Sequence, residues 1–166
     1  MTAEGNTGTN AGGSTEGSGG FAAATGDGPP PHVPPEVRAA EVRVAFAGLS
    51  QIRRLTNSAA ADPGAVPADW ERNQPVRAVA LALEAAGVAP SALDGEGRRT
   101  ATGYRVAAGE RPGTVRVEWL GPHGSGAARE EERELTACAA VLTRLGWEAL
   151  LYRGPRRRRF LEVEPA

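Results

Sequence analysis

The chain has 166 residues and a formal net charge of −1, from 19 basic and 20 acidic residues. That length suits one domain plus a tail, and so even a balance gives no overall field toward nucleic acid or an anionic membrane. Every basic residue is Arg, which excludes lysine Schiff bases, lysine anchoring of pyridoxal phosphate and the lysine of a phosphate-binding loop.

Residues 1–28 are mostly Gly, Ser, Thr, Asn and Ala with isolated acids. Such a stretch has little to bury against the entropy of ordering it, so a disordered tail is expected. Residues 1–20 hold no basic residue and no apolar core, and the run Phe21, Ala22, Ala23, Ala24 is too short for a secretory signal. Pro29, Pro30, Pro31, Pro34 and Pro35 then stiffen the chain into an extended spacer, which completes a tail over residues 1–35.

A first helix is expected over residues 36–60, with Val42, Phe46, Leu49, Ile52 and Leu55 as its apolar stripe and Arg38, Glu41, Arg43, Arg53 and Arg54 on other faces. Residues 62–73 read as a loop punctuated by Pro63, Gly64 and Pro67, with Trp70 as a packed plug. A compact α+β domain is expected over residues 68–166. Its first helix spans residues 75–86, opens on Pro75, ends at Gly87 and lines up Val76, Val79, Leu83 and Ala86 on one face. Residues 89–99 read as a polar loop.

Two alternating runs follow, Thr102, Tyr104, Val106 and Val115, Val117, Trp119, and a connection rich in Gly and Pro makes them a hairpin. The helix over residues 127–145 is the organising element. Leu135, Cys138, Leu142 and Leu145 recur at helical spacing, acids crowd its first turn and Arg144 sits in its last, as the helix dipole favours. Gly146 is placed to take the left-handed conformation that ends a helix, with Trp147 folding back on the last turn. A second hairpin, residues 149–152 with 160–163, turns at Gly154 and Pro155, with Leu161 and Val163 inward and Phe160 and Glu162 outward.

The fold class is therefore α+β: a two-layer, four-stranded antiparallel sheet made of two hairpins, with two helices on one face, an extra N-terminal helix and a disordered N-terminal tail. Each half reads as a helix closed by Gly followed by a hairpin, which suggests a doubled unit.

Chemistry is sparse in this sequence. The loop over residues 121–126 is glycine-rich and precedes a helix, but Glu130, Glu131 and Glu132 at that mouth oppose a phosphate. A Ser–His mechanism has only His123 and Ser125 to draw on, and Cys138 lies on the buried stripe. Glu130 and Glu134 are spaced to share a hard cation, yet Arg129 and Arg133 alternate with them and a charged helix face accounts for the pattern. No catalytic residue, metal site or cofactor motif emerges, and the expectation is a non-enzymatic protein. One cysteine precludes an internal disulfide and suits a reducing cytoplasm, and no apolar run has the length of a membrane span.

The dense basic cluster is Arg153 with Arg156, Arg157, Arg158 and Arg159, at a hairpin turn beside Phe160. Guanidinium groups on a turn can lie along a phosphate backbone, with Phe160 adding base stacking. The expected function is a small binding module that contacts nucleic acid, DNA in the first instance, through these five arginines. The alternative is a protein-interaction module whose first helix presents Val42, Phe46 and Leu49 to a partner protein.

Overall fold

The computed structural model describes residues 20–166. The tail expected over residues 1–28 thus lies outside the described residues as far as residue 19. From Gly20 onward the chain is not loose: it straps the domain. Phe21 packs against α1 (Pro35–Thr56) under the guanidinium of Arg38, 4.6 Å from the ring centre. The Ala22 carbonyl accepts from Arg38 at 3.0 Å and the Ala24 carbonyl lies 2.8 Å from the Tyr104 hydroxyl. Asp27 pairs with Arg99 and Arg105, both at 2.8 Å. One aromatic ring, one carboxylate and the carbonyls of Ala22, Ala24, Thr25 and Gly28 dock a stretch whose composition alone predicts disorder.

Pro35 fills the first position of α1, where its missing N–H leaves nothing unsatisfied. The buried stripe differs from the expected one. Val42, Leu49 and Arg53 are buried and Phe46 half-buried, whereas Ile52 and Leu55 are 44% and 69% exposed. The true stripe is 42, 46, 49, 53, and its last member is an arginine. Arg53 donates to both oxygens of Glu71 at 2.7 and 2.6 Å and to the carbonyls of Gly64 and Leu145 at 2.7 Å. Both side chains are almost wholly buried.

The stretch expected as a loop contains a 3-10 turn at Pro63–Ala65 and a short helix α2 (Asp69–Asn73), which carries Glu71. Trp70 is not a plug. It is 39% exposed and lines an open apolar cleft of about 290 Å³ with Phe21, Leu49, Ile52 and Leu81. Helix α3 (Pro75–Ala85) carries charge only at Arg77 and Glu84, and residues 78–83 between them are all buried between α1 and the sheet. The polar loop after it folds into a small hairpin, β1 (Ala92–Leu93) with β2 (Arg99–Ala101). Asp94 closes its turn by accepting the amides of Glu96 and Arg98, which also holds its carboxyl below the usual carboxylate range.

The main sheet comprises β3 (Gly103–Ala108), β4 (Val115–Leu120), β5 (Trp147–Arg153) and β6 (Arg159–Pro165), with α4 (Ala127–Arg144) between the hairpins. All neighbours are antiparallel and the order is β3-β4-β6-β5. Each hairpin therefore puts its second strand inside and its first at an edge. One face carries Tyr104, Val106, Val115, Val117, Trp119, Trp147, Leu161 and Val163, packed against Val79 and Leu83 of α3 and Leu135, Cys138 and Leu142 of α4. The anticipated α+β arrangement, two hairpins under two helices with a further N-terminal helix, is the observed one. The β3 edge is covered. Its outward groups bond to residues 89–91 and to the strap, with Val106 N donating to the Thr25 carbonyl at 2.7 Å and Tyr104 N to the Ala89 carbonyl at 3.0 Å.

Candidate nucleic-acid interface

The five arginines expected to act together sit on the β5–β6 hairpin, and the fold divides them. After Gly154 the turn passes through a single 3-10 turn, Pro155–Arg157, in which Arg156 and Arg157 take left-handed backbone at φ 57° and 60°. Gly154 N donates to the Arg158 carbonyl at 2.7 Å and closes the loop. Arg158 and Arg159 then point back to the start of α4. Glu131, buried in the first turns of that helix, accepts from Arg158 Nε at 3.0 Å and from the Arg159 amide at 2.6 Å. Arg159 also pairs with Glu132 at 2.8 Å. Strand alternation would part these two neighbours, yet both are neutralised by the acids at the start of α4, Arg158 by Glu131 and Arg159 by Glu132. Among the described residues no carboxylate pairs with Arg153, Arg156 or Arg157, and all three are exposed.

The hairpin tip adjoins a shallow groove of about 490 Å³ floored by residues 121–128. Arg99 from β2, Arg129 from α4 and Arg158 from the turn converge on its rim. Sequence reasoning missed Arg99 and Arg129. They lie 30 residues apart, and only the placement of the small hairpin beside the start of α4 joins them. The expected repulsion from the acids at this mouth is weaker than their number suggests. Glu131 and Glu132 are tied to Arg158 and Arg159, and Glu130 reaches toward the Trp119 indole N–H, at 3.4 Å.

Phe160 is less free for base stacking than its place beside the arginines implies. The Arg116 guanidinium lies 3.8 Å from its ring centre, and Tyr152 stacks beside it at 5.8 Å and 23°. Tyr152, 43% exposed, is the ring available to a ligand.

The residues of the alternative reading have a partner within the chain. Val42 and Leu49 are buried against Leu81 of α3, and Phe46 packs beside them with Ala85. That face of the first helix is spent on its own domain, which corrects its assignment as an open partner surface. His123 and Ser125 share the glycine-rich loop, but among the described residues no hydrogen bond joins them; the Ser125 hydroxyl accepts instead from Ala127 N at 3.4 Å. Cys138 is fully buried, and burial pushes its thiol up to about 12, so it behaves as a small apolar side chain. Among the described residues no group of three metal-ligating side chains converges, and no helix is long and apolar enough to cross a membrane. Comparison of the chain with protein-family models, with curated proteins and with solved structures finds no match.

Proposed function

We propose that this protein is a small non-enzymatic binding module that engages the phosphate backbone of nucleic acid through its arginine-rich end. The observation that carries the reading is the pair Arg156 and Arg157, exposed, without a carboxylate partner among the described residues, and raised on a turn. Arg153 below them extends the same positive surface, as does Arg129 on the groove rim, where Arg99 and Arg158 are already paired with Asp27 and Glu131. Phosphate contacts of this kind supply affinity and orientation without reading bases. Tyr152, on the open face of the sheet next to Phe160, adds a ring on which a base can stack.

The expected result is salt-dependent binding of a fluorescently labelled oligonucleotide, read by anisotropy at several salt concentrations. Changing Arg156 and Arg157 together to Ala removes two phosphate contacts, so the log–log salt slope should fall by roughly 2 on duplex DNA. Both residues are exposed at a turn, and circular dichroism should show the variant folded. Absence of binding at low salt, or a slope unchanged in the variant, would overturn the proposal.

A further inference from the structure

The two edges of the main sheet are treated very differently. Hydrogen-bond phase can be followed along the β5–β6 pair from its two ends. Gly154 N bonds to the Arg158 carbonyl at 2.7 Å, and Ala166 N to the Gly146 carbonyl at 3.0 Å. Both pairs share the register that sets Trp147 opposite Pro165 and Arg153 opposite Arg159. In an antiparallel pair the bonded positions alternate. The even-numbered residues of β5 therefore bond inward to β6, and the backbone groups of Trp147, Ala149, Leu151 and Arg153 point outward. Among the described residues, nothing accepts or donates to them. The same phase carried across the sheet directs Tyr104 and Val106 outward on β3, and there the strap and residues 89–91 do take those groups.

An open edge is ordinarily blunted by a proline, a bulge, a short strand or a central charge. β5 has none of these. It is seven residues long, pairs with β6 without a register shift, and carries Ala149, Leu150, Leu151 and Tyr152 uninterrupted at its middle. Leu150, Leu151 and Tyr152 are each more than 40% exposed. Charge is confined to the ends and differs in sign. Glu148 lies opposite Glu164 at one end, and Arg153 lies opposite Arg159 at the other, next to Arg156 and Arg157.

We propose that β5 is a self-association surface, on which the β5 strand of a second copy of this chain lies antiparallel and continues the sheet. Antiparallel pairing sets the acidic end of one copy beside the basic end of the other, while a parallel arrangement would set like against like. Two conditions choose the register. Outward-bonding residues must meet outward-bonding residues, and a two-fold axis must relate the strands. Centring on Leu150 satisfies both and pairs all seven residues. Leu150 then faces Leu150 of the second copy, Ala149 faces Leu151, Glu148 faces Tyr152, and Trp147 faces Arg153. Residues facing one another point to the same side of the continued sheet, so the helices of both copies stay on one side. The interface is isologous and closed, which limits the assembly to two chains.

Light scattering and sedimentation across a concentration series test this with the whole chain. The expected result is a monomer–dimer equilibrium. Hydrogen exchange gives a geometric readout: the amides of Ala149 and Leu151 should be protected at high concentration and exposed on dilution, while those of Leu150 and Tyr152 are protected throughout. Leu150→Lys puts two like charges face to face at the dyad and should raise the dissociation constant roughly tenfold or more. Its exposed site leaves the monomer folded. A monomer at every concentration, or a dimer in which Ala149 and Leu151 exchange as they do on dilution, would overturn the proposal. Loss of oligonucleotide binding in Arg156→Ala/Arg157→Ala with an intact dimer would leave this inference standing and bear on the function alone.

Discussion

Glu71→Gln should destabilise the protein by about 3–5 kcal/mol, because it strands a buried guanidinium without its counter-charge. The shape of the side chain is kept, so the loss reads the charge and not a cavity. Glu71 accepts from Arg53 through both oxygens and from the Ala68 amide at 2.8 Å. Arg53 in turn holds the Gly64 and Leu145 carbonyls. One guanidinium thus joins α1, the 3-10 turn, α2 and the end of α4. Chemical denaturation gives the measurement, as a lower midpoint with an unchanged slope. The double variant Arg53→Met/Glu71→Leu should recover part of the loss, since an apolar pair needs no compensation in the interior. It should fall short of full recovery, because the Gly64 and Leu145 carbonyls lose their donor. A Glu71→Gln midpoint within error of the parent would show that the pair carries little.

The second large effect is expected at Gly146. Its φ is +82°, and a Cβ built there would lie 1.9 Å from the Ala65 carbonyl oxygen and 2.9 Å from Pro67 Cδ. Gly146→Ala therefore meets two obstacles. Left-handed backbone costs a residue with a Cβ about 1–2 kcal/mol, and forcing a methyl against fixed backbone costs about 1–3 kcal/mol more. A total of about 2–5 kcal/mol, read from the same denaturation curve, follows from those two terms. A control separates them. Gly87 is also left-handed, at φ +85°, with open space where its Cβ would be, so Gly87→Ala should show the conformational part alone.

Gly146 also marks what could be read from the residues and what could not. Its role in ending α4 follows from a stripe of Leu135, Cys138 and Leu142 that stops at that point, and the structure has it there. The contact with Ala65 was not readable, since it joins segments 81 residues apart through a turn with no periodicity. The first hairpin follows from strict alternation, and the second from its Gly154–Pro155 turn and the alternation along residues 160–163, with Leu161 and Val163 inward as expected. The strand order depends on which edges meet, and alternation is silent on that. Arg53 is a different kind of omission. It falls four residues after Leu49 and so lies on the apolar stripe, but a charge reads as a solvent marker unless its partner is known, and Glu71 is 18 residues away. Ile52 and Leu55 suit the stripe by hydropathy but are exposed, since α3 packs along Val42, Phe46 and Leu49. At the interface, the clustering of arginines was visible while the loss of Arg158 and Arg159 to Glu131 and Glu132 was not.

The strap over β3 has a consequence for polymer growth. A chain clipped after Gly28 would lose Thr25 from Val106 and Asp27 from Arg99 and Arg105. Such a fragment would bare the Val106 end of β3, while residues 89–91 still cover Tyr104. Pairing that bared length of β3 in one molecule with β5 of the next is a head-to-tail contact, which can repeat from molecule to molecule instead of stopping at two. Turbidity rising with concentration in the clipped fragment, and not in the intact chain, is the expected sign. Nine amino acids that look like packaging would then be what keeps this protein from becoming a filament.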